Sequence, residues 1–258
     1  MLAVRFENFQ PWSGESLRSP ASIPEHLRDF HVVTCEHGGN RIPAAYVDLF
    51  HGWQARLSSH RGYDRGALIM ARDLAAALQA PLLTSTVSRL LVDLNRSLSS
   101  PQAWSDATRA LSPTSKQAIV SRHYAPYRQR LMNTVAEAVA AGQRVIHVSS
   151  HSFTPVLDGQ VRNADIGLLY DPTRPGEVAV AARWKAAFAE HSAELRVRRN
   201  YPYHGKNDGL TTAMRRCFAP SEYVGIEIEL NQALVLTQPR LWQHLRRAVV
   251  TTLASALR

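Results

Sequence analysis

Five ionisable residues lie at the ends of predicted strands or at the start of a predicted helix: Glu36, His37, Asp64, His151 and Glu229. Strand ends are where α/β proteins place ligands and metals, so neighbouring strands would bring these side chains to one edge of a sheet. Two glycines, Gly38 and Gly39, follow the first pair directly. Glycine permits a sharp turn and a close approach. We therefore expect both to clear space for a metal and a substrate.

Two imidazoles and a carboxylate, with a fourth position left open, form the ligand set of a catalytic zinc ion. A further carboxylate beside them would serve as a general base. The spacing forms no self-contained motif such as HExxH, and two residues have structural alternatives. Asp64 could simply cap its helix, and His151 could be a hydrogen-bonded core histidine.

The segment 88–98, SRLLVDLNRSL, is a second candidate site. Its apolar residues predict a buried strand over 87–94, with Arg89 near the start and Asn95 and Arg96 directly after the end. A guanidinium fork beside an amide suits a carboxylate ligand bidentately. The structural alternative is an ion pair with Asp93 or another acid.

The segment 198–216 is a third candidate, because it mixes Pro and Gly with Arg, Asn, Asp and Thr. Long loops in compact domains are often functional. We expect a substrate loop here, with Asn200 and Arg215 as contacts, and the alternative is a plain surface connection.

These residues need a scaffold of alternating strands and helices. Apolar runs predict strands at 30–35, 87–94, 145–149, 166–170, 195–197 and 223–230. Apolar spacing of three and four residues and cap-like residues predict helices at 66–79, 115–141, 177–191 and 239–257. The alternation favours one three-layer α/β/α sandwich over residues 1–258, with a mixed, mostly parallel sheet.

Composition narrows the class of protein. The chain has 258 residues and a net charge of +9, but its arginines are scattered and few aromatic residues lie among them, so nucleic acid is not an expected partner. The two cysteines, Cys35 and Cys217, imply no disulfide framework. No apolar run is long enough to cross a membrane, and the first residues lack the order of a secretory signal. A cytoplasmic location is the default expectation.

Seven segments in order along residues 35–234 carry a resemblance to a known family: CEHGGNRIP, HRGYDRGA, SRLLVDLNRS, HSFTPVLDG, ADIGLLYDP, NYPYHGKNDGLTT and GIEIELNQAL. Together they resemble the N-formylglutamate amidohydrolase family, which is similar in fold to zinc carboxypeptidases. VDLNR resembles the carboxypeptidase segment whose Asn and Arg hold a substrate carboxylate. SSHSF resembles the carboxypeptidase segment that contains the later histidine ligand of the zinc ion. EIELNQ resembles the carboxypeptidase segment that contains the general base. A similar order of ligands occurs in zinc muramoyl amidases.

The resemblance implies one zinc ion held by His37, Asp64 and His151. The carboxypeptidase pattern HxxE is missing, because Asn40 stands where its acid would be, so the acid ligand is Asp64 or Glu36, and we choose Asp64. Alternation puts Glu227 and Glu229 on the same strand face, so geometry does not separate them as bases. We choose Glu229, because Glu229 and Gln232 match the family's Glu-x-x-Gln.

The roles that follow are hydrolytic. Glu229 would be the base, Arg89 would stabilise the oxyanion, and Asn95 and Arg96 would hold a carboxylate of a small N-acyl amino acid. With N-formylglutamate the products are formate and glutamate, which would place the protein in histidine breakdown. The alternatives are another zinc amidase or peptidase of the same fold acting on a different acyl amino acid or peptide, and a non-catalytic basic binding protein.

Overall fold

A central six-stranded sheet forms the middle layer of the computed structural model, which describes residues 29–258. The strands are β1 (Phe30–Cys35), β2 (Leu82–Thr84), β3 (Val145–Phe153), β6 (Ile166–Leu169), β7 (Val197–Arg199) and β8 (Tyr223–Asn231), and a separate hairpin is formed by β4 (Val156–Leu157) and β5 (Gln160–Val161). The sheet order is β2-β1-β3-β8-β6-β7. Four strands run parallel, and β6 is antiparallel to β8. The predicted mixed, mostly parallel sheet is confirmed.

The helices are α1 (Gln54–Leu57), α2 (Ala67–Leu78), α3 (Pro113–Ile119), α4 (Ala125–Ala140), α5 (Pro175–His191), α6 (Leu210–Cys217), α7 (Gln232–Thr237) and α8 (Pro239–Ala256). A π-helical turn at Val120–Tyr124 joins α3 to α4. The long helix predicted at 115–141 is therefore interrupted by this wider turn. Short 3-10 segments lie at Ala44–Phe50 and Pro101–Ala103.

Helices cover both faces of the sheet. Side chains of α2, α5 and α8 pack with Val33, Ile146 and Ile226 on one face, and α4 and α6 pack with Val32 and Tyr223 on the other. Every residue of the two central strands, β3 and β8, is buried, as expected where helices cover both faces of parallel strands. The α/β/α sandwich is thus confirmed.

Alternation along β8 separates apolar from polar side chains. Ile226, Ile228 and Leu230 belong to the core under α2, α5 and α8. Glu227 and Glu229 therefore point to the opposite face, since successive strand residues alternate. Both carboxylates line one cavity on that face of the sheet.

The predicted strand at 87–94 is wrong. The edge strand is β2, Leu82–Thr84, and residues 88–98 form turns outside the sheet. Their apolar members, Leu91, Val92 and Leu94, are buried in a separate cluster with Phe50 and Ile119. The apolar run therefore predicted correctly that these side chains are buried, but they pack against loops and α3 and not within the sheet. The segment 198–216 also differs from a plain loop, since α6 begins at Leu210.

No helix in the part of the chain described here is long and apolar enough to cross a membrane. Residues 1–28 lie outside the described range. The expectation about a secretory signal rests on these residues, and the single domain predicted over 1–258 includes them.

Candidate active site

The candidate active site lies where β1, β3 and β8 end. Glu36 and His37 directly follow β1, and His151 on β3 pairs in register with Glu229 on β8. Partners on neighbouring strands point to the same face, so these last two side chains lie side by side. The backbone N–H of Asp64 donates to the His37 carbonyl oxygen at 2.9 Å. This bond holds the segment before α2 against the end of β1.

Three potential metal ligands converge at this point. Nδ1 of His37 lies 3.3 Å from Oδ2 of Asp64, and Nδ1 of His151 lies 2.9 Å from the same oxygen. The ligand atoms of the three residues all fall within 4.8 Å of one another, and all three side chains are buried. The structure therefore brings the predicted ligand residues together in an arrangement compatible with a metal site.

The far nitrogen of each imidazole is also bonded to a carboxylate. Nε2 of His37 lies 2.7 Å from Oδ1 of Asp93, and Nε2 of His151 lies 3.0 Å from Oε2 of Glu36. A carboxylate only accepts, so each Nε2 carries the proton and donates it. With a metal bound on the Nδ1 side, each imidazole would be neutral and would offer its Nδ1 lone pair to the metal beside the Asp64 oxygen. Three acceptors facing one another fit a cation, and carboxylates commonly orient metal-binding histidines in this way.

The charges of the site also favour a cation. Burial tends to raise the pKa values of Glu36, Asp64 and Asp93, but stronger contacts lower all three below their usual range. The pKa of Glu36 is lowered mainly by the bond and charge of His151, that of Asp64 by His37, His151 and Arg89, and that of Asp93 by Arg89 and His37. Burial lowers the pKa of His151, but its bonds to Asp64 and Glu36 outweigh this effect and raise it well above normal. Without a metal, the site therefore draws a proton to the nitrogen that a metal would use.

The geometry separates Glu36 from Asp64 as candidate ligands. Glu36 lies on the Nε2 side of His151, away from the converging Nδ1 atoms. Its carboxylate accepts the Ser149 hydroxyl at 2.7 Å and the Tyr127 hydroxyl at 2.9 Å. Glu36 is fully buried and its oxygens are already engaged, so its place is that of an orienting group for His151.

Glu229 has the features of a free base. Its Oε2 is buried and has no hydrogen-bond partner among the described residues. Burial raises the pKa of Glu229 to about 8, and Asp64 and Glu227 add to this rise, against the opposing charges of His151 and Arg89. Glu227 also lines the cavity, but it accepts the hydroxyl of Thr211 on α6. The unbonded oxygen favours Glu229 over Glu227 as the base.

Arg89 forms the ion pair that the sequence offered as its structural alternative. Its Nε and Nη2 donate to Oδ2 of Asp93 at 3.1 and 2.7 Å, while Nη1 lies 3.4 Å from Oδ1 of Asp64. Arg89 also lines the cavity. It therefore holds Asp93 against His37 and presents its remaining edge to the site, where the predicted contact with an oxyanion stays a prediction.

Asn95 and Arg96 both line the cavity, as predicted for a pair that holds a carboxylate. Oδ1 of Asn95 accepts the backbone N–H of Leu210 at 2.6 Å, and Nδ2 lies 3.4 Å from Nε2 of His151. Nη1 of Arg96 donates to the carbonyl oxygen of Asp208 at 2.6 Å. The side chains are thus fixed between two loops, and Arg96 has no carboxylate partner among residues 29–258.

The two other predicted substrate contacts lie elsewhere. Arg215 is buried and paired with Glu177 at 2.8 Å, and its other nitrogens donate to backbone carbonyls. Oδ1 of Asn200 accepts the backbone N–H groups of Tyr170 and Gly205. Neither residue is among those lining the catalytic cavity. The structure assigns them bonds within the protein, and their contact with substrate stays a prediction.

The catalytic cavity encloses about 160 Å³. Three residues that the sequence argument left without a role contribute to this site: His60 and Tyr203 line the cavity, and Asp93 supports His37. All three lie inside segments that carried the family resemblance. Asp64 drew attention because it precedes a predicted helix, and Asn95 because it follows a predicted strand. The roles of His60, Asp93 and Tyr203 depend instead on how the loops pack.

Gly38 and Gly39 serve a purpose other than the predicted one. A Cβ on Gly38 would lie 2.9 Å from the carbonyl oxygen of Ser85, and one on Gly39 would lie 2.8 Å from that of Thr86. The expectation that they clear space for metal and substrate is therefore wrong. They let the turn after β1 pack directly against the backbone that follows β2, and that packing fixes His37.

Comparisons with known proteins identify the family of the chain and proteins of similar fold. The model of the family described as N-formylglutamate amidohydrolase matches residues 31–236. The crystal structure of gene product Atu2144 from Agrobacterium tumefaciens has a TM-score of 0.74 and 30% identity, over 90% of this chain and 93% of that chain.

A second solved structure shows the same fold at lower identity. N-formylglutamate amidohydrolase from Ralstonia eutropha has a TM-score of 0.63 and 20% identity, over 91% of this chain and 95% of that chain. Among curated proteins, no match is found. The family match spans the strand ends and both histidines described above, and on that basis the chain belongs to the N-formylglutamate amidohydrolase family.

Proposed function

We propose that the protein is a zinc-dependent hydrolase of the amide C–N bond of N-acyl amino acids, with N-formylglutamate as the reference candidate substrate. The observation that supports this most directly is the pairing of His151 with Glu229. A buried carboxylate with a free oxygen lies beside three converging metal ligands. Hydrolysis needs such a base within reach of the site where water and the acyl carbon meet.

His37, Asp64 and His151 would hold the metal, with Asp93 and Glu36 orienting the two imidazoles. A divalent cation, when bound, supplies Lewis-acid polarisation of the acyl carbonyl and lowers the pKa of water. Of the three ligand atoms, only the carboxylate oxygen of Asp64 would carry a charge. The three side chains are buried, which limits the access of competing water.

The chain's own groups perform the proton transfers. Glu229 accepts a proton from the attacking water as the new C–O bond forms, and it returns that proton to the nitrogen as the C–N bond breaks. The Nη1 edge of Arg89, which lies 3.4 Å from Oδ1 of Asp64 and borders the cavity, would stabilise negative charge that develops on the acyl oxygen. Asn95 and Arg96 hold the α-carboxylate, which keeps the acyl carbon close to Glu229. The products are the free amino acid and a carboxylic acid, which is formate for an N-formyl substrate.

A substrate panel tests this proposal. We expect zinc-loaded protein to cleave N-formyl amino acids faster than their N-acetyl analogues, and to cleave members with acidic side chains, glutamate among them, faster than members with neutral ones. Release of the free amine is measured with and without added metal. Cleavage of a different acyl class would indicate another amidase of this fold. Stoichiometric metal with no turnover on any member would indicate a non-catalytic binding protein.

Replacing Arg96 by alanine tests the carboxylate contact. We expect kcat/KM for acidic N-formyl amino acids to fall roughly 10- to 150-fold, the equivalent of losing about 1.5–3 kcal/mol from one charge-assisted hydrogen bond. The decisive comparison is between a substrate and its α-carboxamide. Wild type should prefer the acid strongly, whereas Arg96→Ala should lose most of that preference.

Arg128→Ala is the matched control for this variant. Arg128 donates to the carbonyl oxygens of Leu94 and Arg96 at 3.1 and 3.3 Å, so it supports the same loop. It does not line the cavity, and its loss should leave the acid-to-amide ratio unchanged. If Arg96→Ala keeps the full ratio, the α-carboxylate is held by another group.

A further inference from the structure

A second cavity opens directly beside the catalytic one. We call it the outer cavity, and it encloses about 450 Å³, against about 160 Å³ for the catalytic cavity. The two share His60, Arg89 and Arg96 as lining residues. The two cavities therefore adjoin at these side chains, and Arg96 borders both of them.

The charges of the outer cavity favour an anion. Asp106 lies at its rim, 3.6 Å from Arg56 and 3.1 Å from Arg109, so these two arginines share one carboxylate. Arg61 lines the same cavity and has no carboxylate within 4.0 Å in the described part of the chain. Arg61 is thus an uncompensated positive charge available to a ligand.

Two half-buried tryptophans add apolar surface. Trp53 and Trp104 line the outer cavity, and cations pack against their rings, with Arg56 4.6 Å from the Trp53 centroid and Lys116 5.3 Å from that of Trp104. These contacts hold the indoles in place. Aromatic side chains that are fixed in this way suit methylene groups or a flat segment of a ligand.

We propose that the outer cavity binds the side chain of the substrate, and that the preferred substrate is an N-acyl amino acid whose side chain is longer than that of glutamate and ends in an anionic group. This proposal rests on the proposed function. Arg96 holds the α-carboxylate at the boundary, the methylenes pass along Trp53 and Trp104, and the terminal anion meets Arg61. Both charges of the substrate are then neutralised by arginines that lack carboxylate partners among residues 29–258.

A series of substrates that differ only in side-chain length, called the ladder below, tests the proposal. N-formyl derivatives of aspartate, glutamate, 2-aminoadipate and 2-aminosuberate keep the amide and the α-carboxylate and differ only in side-chain length. We expect kcat/KM to keep rising beyond glutamate. Arg61→Gln should remove roughly three- to tenfold of kcat/KM for the longer members, the range for a partly exposed charge contact, and the difference should shrink at high salt.

The controls separate this inference from the proposed function. Arg61 is exposed, so Arg61→Gln should fold normally and should cleave N-formylnorleucine at the wild-type rate. Arg72→Gln, which removes an exposed arginine that lines neither cavity, should leave the order of the N-formyl substrates unchanged. No cleavage of any N-formyl amino acid would contradict the proposed function itself. A ladder that peaks at glutamate, or one that Arg61→Gln leaves intact while N-formylnorleucine is still cleaved, would overturn this inference alone.

Discussion

Replacing Glu229 by glutamine should lower kcat by about 10²–10⁴-fold, the usual loss for a missing general base, while metal content stays at the wild-type level. The amide has the same shape as the carboxylate but cannot accept a proton from water. Oε2 of Glu229 makes no hydrogen bond within the described structure, so no internal bond is broken. The KM of the variant should change little, because the substitution removes a proton transfer that occurs in the transition state and no contact that binds the substrate.

The fold should tolerate this substitution. Burial raises the pKa of Glu229 to about 8, so the metal-free protein already favours a neutral side chain at this position near pH 7. A neutral amide therefore adds no buried charge and stays uncharged when the pH rises above 8, where the carboxylate would meet Asp64 and Glu227. We expect the Tm of the metal-free variant to equal or exceed that of the wild type, measured by calorimetry at pH 7. A large fall in Tm would mean that the activity loss reflects misfolding.

Glu227→Gln is the matched control. It removes a carboxylate from the same strand, the same face and the same cavity, two residues earlier. The glutamine oxygen can still accept the Thr211 hydroxyl, so kcat should change by far less than in Glu229→Gln. The reverse outcome, an inactive Glu227→Gln and a normal Glu229→Gln, would show that the base is assigned two residues too late.

The sequence predicted the site better than it predicted the loops around it. Strand ends indicated that His37, His151 and Glu229 would meet at one edge of the sheet, and the structure brings them together there. The choice of Glu229 over Glu227 came from the family's Glu-x-x-Gln segment, because alternation puts both glutamates on one face. Strand β8 shows this clearly, with isoleucines at 226 and 228 and glutamates at 227 and 229 on opposite faces. Such patterns are local, so a single sequence contains them.

The segment 88–98 shows where this reasoning stops. Its apolar residues are buried as predicted, but against α3 and the 3-10 segment at Ala44–Phe50, so it forms no strand. Its most important contact, Asp93 with His37, joins residues 56 positions apart through loop packing. Periodicity carries no information about such a contact. The sequence offered Asp93 only as an ion-pair partner of Arg89, and the structure shows that it makes both contacts.

Gly38 and Gly39 illustrate the same limit. The sequence indicated a close approach at this turn, and the structure confirms that one exists. The approaching group is the backbone of Ser85 and Thr86, which only the three-dimensional packing could identify. A glycine signals that bulk is excluded without indicating what lies opposite.

Removing one carboxylate at a time should separate ligands from orienting groups. We expect Asp64→Asn to abolish stoichiometric zinc binding, because it removes the only charged atom among the three converging ligands. Glu36→Gln should retain zinc but weaken its affinity by about 10- to 100-fold, the typical effect of losing an orienting partner of a ligand. Affinities are measured by competition with a chromogenic chelator, and metal content by elemental analysis.

Activity and the stabilisation by zinc should both decrease from wild type to Glu36→Gln to Asp64→Asn, as zinc affinity does. Chelation should inactivate the wild type and zinc should restore it, and Glu36→Gln should regain activity only at higher zinc concentrations. Zinc should also raise the Tm of the wild type, since a ligand at 100 times its Kd stabilises the folded state by about 2.7 kcal/mol. In Asp64→Asn this rise should disappear, which provides a measurement independent of turnover.

The geometry makes the two outcomes exclusive. Asp64 faces the Nδ1 atoms of both histidines, whereas Glu36 meets His151 from its Nε2 side and is held there by Ser149 and Tyr127. A metal at the Nδ1 side uses Asp64 and leaves Glu36 as a support. If Glu36→Gln lost zinc completely while Asp64→Asn kept it, the metal would lie on the other side of His151, and Glu36 would replace Asp64 as the acidic ligand. Full activity of rigorously metal-free wild-type protein would instead require a hydrolytic mechanism in which Glu229 and Arg89 act without a metal.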